Sequence, residues 1–158
     1  MRKWMAVLLT GWMLAAAPAL AVTVETRYSD DFQKKLDKEY GVREGERLSK
    51  WLRERVEAAL REKGVSAQRV VVTLEDARPN RPTLKQVSDK PGLDPILSFG
   101  LGGAEMTGVA FDASGKEVGR LEYKWYETDL ANSMNATTWH DARWSFSRFA
   151  KRMASAIN

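Results

Sequence analysis

One long helix with a single apolar face limits how this chain folds more than any other feature. Between Arg43 and Lys63, apolar side chains recur at helical spacing on one stripe, and charged side chains occupy the opposite face. The stripe consists of Leu48, Trp51, Leu52, Val56, Ala59 and Leu60. Gly64 follows directly, and glycine at this position is typical of a helix end. Because such a helix buries only one face, it needs one further layer to pack against.

Strand-like segments supply that layer, and a second amphipathic helix joins the first. Alternating apolar and β-branched residues predict strands in Val22–Tyr28, Arg69–Asp76, Leu97–Asp112 and Glu117–Thr128. Thr138, with Asp141 three residues later, resembles a capping box and predicts the start of the last helix. The order predicts an α+β fold, a two-layer α/β sandwich. Two amphipathic helices then cover one face of a mostly antiparallel sheet of about four strands.

Two connecting segments complete the predicted order. Phe32, Leu36 and Tyr40 recur at four-residue steps and predict a short helical piece before the first long helix. Residues 77–96 contain four prolines, which predicts an extended, stiffened loop. Loops of this length in a compact domain tend to be functional or mobile.

The first 21 residues have the pattern of a targeting segment. Two basic residues precede the apolar run Met5–Ala17, and the small residues Ala19 and Ala21 follow it. This pattern is typical of a cleavable signal peptide, and the run is too short to cross ~30 Å of hydrocarbon comfortably. We expect cleavage after Ala21, a single domain over residues 22–158, and no stable membrane insertion after cleavage.

Composition limits both the cellular compartment that fits this chain and the kinds of functional site that it can form. The chain has no cysteine, which excludes disulfides, thiol catalysis, zinc fingers and iron–sulfur clusters. The formal charge of +4 falls to about +2 without the two basic residues of the leader, which is weak support for nucleic-acid binding. Small eukaryotic extracellular domains usually carry disulfides, so a secreted domain without cysteine favours the bacterial periplasm.

The usual catalytic patterns are missing from the sequence. His140 is the only histidine, and its neighbour Asp141 points about 100° away on a helix, so a Ser-His-Asp triad is not favoured. The run Gly100–Glu105 lacks the last glycine of a dinucleotide-binding loop. We therefore predict no catalytic, cofactor-binding or metal-ligating residues. A pair of carboxylates acting on a glycan stays open as an alternative. The candidates for such a pair are Glu75, Asp76, Glu105, Asp112, Glu122, Glu127 and Asp129.

Two groups of residues indicate a binding surface. Arg78 and Arg81 flank Asn80 on a turn that neighbouring prolines make rigid. Guanidinium groups held in fixed positions can bind carboxylate or phosphate groups through paired hydrogen bonds. Aromatic residues crowd the C-terminal part, where Trp125 and Tyr126 cannot both be buried because neighbours on a strand point to opposite faces. The predicted surface comprises Arg78, Asn80, Arg81, Trp125, Tyr126, Trp139, His140 and Trp144.

The chain resembles small bacterial envelope proteins that carry domains of unknown function. The segment Val70–Asp76 before a basic proline-rich loop, the turn Asp112–Gly115, and Leu121–Tyr126 before a tryptophan-rich helix carry this resemblance. The element order is also similar to the amino-terminal domain of the TolB translocation protein and to related envelope lipoproteins. The present chain lacks the cysteine of the lipoproteins. The resemblance implies envelope binding or scaffolding and supplies no catalytic residues.

These observations predict a soluble periplasmic protein that binds or supports another envelope component, a protein, without catalysis and without nucleic acid. The first alternative is a carboxylate-pair hydrolase that acts on glycan or peptidoglycan. The second is a small-ligand carrier, which needs a pocket between helix and sheet. The oligomeric state stays open.

Overall fold

The computed structural model describes residues 22–65 and 67–157, so the predicted signal peptide lies outside the described residues. The strands are β1 (Thr23–Tyr28), β2 (Arg69–Arg78), β3 (Gly103–Phe111) and β4 (Glu117–Tyr126). The helices are α1 (Asp30–Lys35), α2 (Val42–Lys63), α3 (Leu84–Asp89) and α4 (His140–Ala156). A π-helical turn (Leu36–Tyr40) joins α1 to α2, and a 3-10 turn (Leu130–Ser133) precedes α4.

The four strands form one mixed sheet in the order β1-β2-β3-β4. β1 runs parallel to β2, whereas β2 with β3 and β3 with β4 are antiparallel. Helix α2 packs over β1 and beside α4, and α4 packs over β3 and β4. This arrangement confirms the predicted α+β fold with a mostly antiparallel sheet.

The core lies between the two long helices and the inner face of the sheet. The α2 stripe is buried as predicted except for Trp51, which is only partly buried. Glycine at position 108 of β3 lets α4 approach the sheet closely, because a side chain there would lie 2.8 Å from both Phe149 and Met153. Residues with no more than 1% exposure in this core include Phe32, Leu36, Leu48, Leu52, Val70, Val72, Leu74, Met106, Phe146, Phe149 and Met153.

The ends of β2 and β4 each differ by two residues from the prediction. Two other predicted boundaries are wrong because of partners that are distant in sequence. β3 begins at Gly103 instead of Leu97, because the backbone of the preceding residues bonds to other loops. Gly100 N donates to Asn80 O at 2.8 Å, and Glu127 N donates to Gly102 O at 2.9 Å.

The second wrong boundary is the start of the last helix. α4 begins at His140, and the expected Thr138–Asp141 capping box is not formed. The Asp141 side chain instead accepts hydrogen bonds from Asn80 Nδ2 and Gly102 N. A capping box forms elsewhere, between Thr83 and Gln86 at the start of α3.

Candidate functional site

Arg81 connects two long loops, residues 79–102 and residues 127–139, by hydrogen bonds. Its Nε donates to Ala136 O at 2.6 Å, one terminal nitrogen donates to Met134 O at 2.7 Å, and the other donates to Ile96 O. The guanidinium carbon also lies 6.0 Å from the centre of the Phe99 ring. Two of these bonds hold residues 79–102 against residues 127–139, and the bond to Ile96 O lies within residues 79–102.

Asn80 also connects the two loops, and it is buried, with 1% of its surface exposed. Its side-chain amide donates to Ser133 Oγ at 3.3 Å and to Asp141 Oδ2 at 2.5 Å. Its backbone N donates to Thr138 O at 2.7 Å. Arg81 and Asn80 were predicted as surface residues that meet a ligand. Their hydrogen bonds are instead directed into the protein, and this leaves Asn80 outside any exposed surface.

The two fastened loops carry an unusual amount of exposed apolar surface. We call their exposed apolar side chains the apolar loop surface. It consists of Leu84, Ile96, Leu97, Phe99, Leu101, Leu130 and Met134, which are between 38% and 83% exposed. The Arg81 guanidinium donates to the backbone carbonyls of Ile96 and Met134 and lies 6.0 Å from the Phe99 ring, so these three residues from both loops lie near one another. Grouped large apolar residues of this kind mark interaction sites more often than isolated ones do.

An open depression of about 310 Å³ borders this surface. Gln86, Lys90 and Leu93 line it on the α3 side, and Ser98 and Phe99 line it on the opposite side. Phe99 therefore connects the apolar loop surface to a recess that can receive part of a docked chain.

Arg78 and Tyr126 lie on the sheet face that the helices leave open. The Arg78 guanidinium carbon lies 4.4 Å from the centre of the Tyr126 ring. The Tyr126 hydroxyl donates to Asp76 Oδ2 at 2.9 Å. Burial raises the pKa of Tyr126, and the negative charge of Asp76 raises it further. This predicted pair is close together, but it faces away from the helix layer.

Two of the candidate carboxylates are neighbours across the sheet, and each of them is bound by a lysine. Asp76 and Glu105 are register partners across β2 and β3. Lys35 binds Asp76 at 2.8 Å, and Lys124 binds Glu105 at 2.7 Å. Both carboxylates are thus engaged in salt bridges within the protein.

The flanks of α4 combine arginines with aromatic rings. Arg143 stacks over Trp51 at 4.7 Å, and Arg152 stacks over Tyr123 at 5.1 Å. Arg148 lies 5.0 Å from the Trp144 ring and 5.8 Å from the Trp125 ring. Such stacking holds the guanidinium group in place and leaves its N–H donors free to bind.

The predicted aromatic residues divide between this surface and the core. Trp144 is 51% exposed, His140 is exposed, and both border one depression with Arg143. Trp139 is only 2% exposed, and its indole N–H donates to Glu44 Oε2 at 2.7 Å. Trp139 therefore belongs to the core and not to the predicted surface. Its position at the start of an amphipathic helix was the signal that it faces inward.

The chain folds as a small α+β domain. Its most distinctive features are two parts of its surface, namely the apolar loop surface and the arginine–aromatic pairs beside α4. Within residues 22–65 and 67–157, no group of three acidic or histidine side chains is placed to hold a metal ion. None of the described helices has the length and apolar composition needed to span a bilayer. Comparison of the chain with protein-family models, with curated proteins and with solved structures finds no match.

Proposed function

We propose that this chain is a non-catalytic binding protein of the bacterial periplasm that engages another envelope protein through the apolar loop surface. One observation carries the proposal. Seven large apolar side chains are exposed on two loops whose backbones are fixed by Arg81 and Asn80. Exposed apolar groups on a fixed backbone can be buried by a partner with little loss of conformational freedom.

The energetics favour a protein partner for this surface. Transfer of one fully exposed leucine or isoleucine out of water contributes about 1.5–3 kcal/mol. Ile96 and Leu97 are 74% and 77% exposed. Burial of both side chains by a partner would therefore supply a large part of the free energy of binding of a moderate-affinity interface. The N-terminal targeting pattern and the absence of cysteine support the periplasm as the compartment.

The two alternative functions receive less support. The carboxylates of Asp76 and Glu105 are each occupied by a lysine, which disfavours a carboxylate-pair hydrolase at that position. The space between helix and sheet is filled by Phe146, Phe149 and Met153, which are fully buried. A small-ligand carrier would need a cavity in that layer.

Cross-linking in living cells tests the proposal. Cells expressing the tagged chain are treated with a cross-linker, and the conjugates are identified by mass spectrometry. The variant Ile96→Ser/Leu97→Ser removes the centre of the apolar loop surface. The control Val42→Ser removes an apolar side chain that is 56% exposed at the start of α2. Thermal unfolding of all variants verifies that they fold.

We expect one dominant envelope protein among the conjugates of the wild-type chain and of Val42→Ser, and its loss in Ile96→Ser/Leu97→Ser. The absence of any specific conjugate from the wild-type chain would contradict the proposed binding function. A conjugate that survives in Ile96→Ser/Leu97→Ser at the wild-type level would show that the partner binds elsewhere.

A further inference from the structure

The outer surface of α4 carries cations that no carboxylate neutralises. Arg143, Arg148, Lys151 and Arg152 are exposed. In the described part of the chain, none of these four forms a salt bridge. Asp141 is the only acidic residue of α4, and it is buried against Asn80. The helix therefore presents an uncompensated positive charge to its surroundings.

The spacing of these residues spreads the charge along the helix. Positions 143, 147 and 151 form one exposed row, and positions 144, 148 and 152 form the neighbouring row. A helix of 17 residues is about 25 Å long, and the cations from Arg143 to Arg152 spread over about half of that length. Trp144 lies between Arg143 and Arg148 and is half exposed. We call Arg143, Trp144, Arg148, Lys151 and Arg152 the cationic band.

Ring stacking determines where the guanidinium groups lie. Arg143 rests on Trp51 of α2, whereas Arg148 and Arg152 rest on Trp125 and Tyr123 of β4. The arginines are thus held on opposite flanks of α4 and do not converge on one point. A single small anion would bridge few of them, whereas an extended array of anions can meet them all.

We propose that the cationic band binds the surface of membranes rich in anionic phospholipids. Guanidinium groups bind phosphate oxygens through paired hydrogen bonds, and each cation near such a surface adds to the attraction. Tryptophan favours the headgroup region of a bilayer, because one part of the indole is apolar and the N–H is polar. This surface is separate from the apolar loop surface, so both can act in one molecule.

Vesicle sedimentation tests this proposal. The chain is expressed with its own N-terminus in bacteria, and the purified protein is mixed with vesicles of phosphatidylglycerol and phosphatidylethanolamine. Vesicles of phosphatidylcholine alone serve as the neutral comparison. We expect binding to the anionic vesicles only, and loss of that binding at high salt, because salt screens charge attraction.

Charge variants locate the binding surface. Arg148→Gln/Arg152→Gln should lower the partition coefficient about fivefold for each cation removed. The control Arg61→Gln/Lys63→Gln removes the same charge from the exposed last turn of α2 and should bind nearly as well as the wild type. Equal losses in the two variants would overturn the proposal, because binding would then depend on net charge alone.

Tryptophan fluorescence supplies a second measurement, which reports on the surroundings of Trp144 and not on the charged side chains. Anionic vesicles should shift tryptophan emission to shorter wavelength, and the variant Trp144→Phe should abolish this shift while the protein still folds. Failure of the wild-type chain to sediment with anionic vesicles would overturn the proposal. Binding of duplex DNA or of an acidic protein by the band, without binding to vesicles, would assign the band to that other class of partner.

Discussion

Asn80 and Asp141 bind each other reciprocally in the interior, although 61 residues separate them in sequence. Asn80 Nδ2 donates to Asp141 Oδ2 at 2.5 Å, and Asp141 N donates to Asn80 Oδ1 at 3.0 Å. Gly102 N donates to the same carboxylate oxygen at 3.2 Å. The pair therefore joins the end of β2, the approach to β3 and the first turn of α4. The loop of residues 79–102 begins and ends at the first two of these segments, and the loop of residues 127–139 ends at the third.

Removal of this amide should destabilise the whole fold. Asn80→Ala leaves the Asp141 carboxylate buried with Gly102 N as its remaining donor. Loss of a partner by a buried charged group costs about 3 kcal/mol. Urea unfolding of the variant should show this decrease in the free energy of unfolding. Asn132→Ala is a suitable control, because exposed Asn132 bonds only to Glu127, and its loss should cost less than about 0.5 kcal/mol. Equal costs for the two variants would contradict the role assigned to Asn80.

The sequence identified Asn80 and Asp141 as notable residues but could not pair them. Asp141 follows Thr138 at capping-box spacing, and this local pattern predicted a helix cap. Local patterns say nothing about a partner 61 residues away, and that partner occupies the carboxylate instead. The periodicity of α2, in contrast, concerned only neighbouring positions, and it predicted the helix and most of its buried face correctly.

The same limit applies to the loops. Glycine and apolar residues in 97–102 resembled the start of a strand, because composition alone does not reveal where the backbone hydrogen bonds go. Thr83 and Gln86 did carry a local signal for α3, and that signal could have been found. The exposed apolar loop surface could not have been predicted, since apolar residues in a sequence are expected to be buried.

Arg81 should control the order of the two loops more than the stability of the core. Arg81→Met keeps an apolar stem but removes the hydrogen bonds to Ile96 O, Met134 O and Ala136 O. We expect limited proteolysis to cleave the variant near residues 96–97 much faster than the wild type, because local opening exposes the backbone. The midpoint of global unfolding should change less than it does in Asn80→Ala.

The matched control for Arg81→Met is Arg78→Met. Arg78 is also an arginine of the predicted surface, but it stacks on Tyr126, and within the described residues its side chain donates no hydrogen bond to either loop. Its replacement should leave the rate of loop cleavage unchanged. Faster cleavage in both variants would mean that general loss of charge, and not the three carbonyl bonds, opens the loops.

Tyr40 should make the fold sensitive to high pH. Its ring packs edge-on against Trp139 at 5.6 Å. Burial and, to a smaller extent, the carboxylates of Asp76 and Glu39 together raise the pKa of Tyr40 from 10.0 to about 12. Because the pKa is higher in the folded state, the folded protein holds more protons than the unfolded chain above pH 10. The stability associated with this group is therefore complete below pH 10 and is lost as the pH rises through about 12.

Two variants test this pH dependence by the absorbance of tyrosinate. Tyr40→Phe should remove one tyrosine from the late part of the alkaline titration and lessen the decrease in stability above pH 10. Asp76→Asn should lower the pKa of both Tyr40 and Tyr126, because the Asp76 carboxylate raises both. A late titration of unchanged amplitude in Tyr40→Phe would show that the pKa of Tyr40 lies near the ordinary value of 10.0. The packing of its ring against Trp139 would then not protect the hydroxyl from solvent.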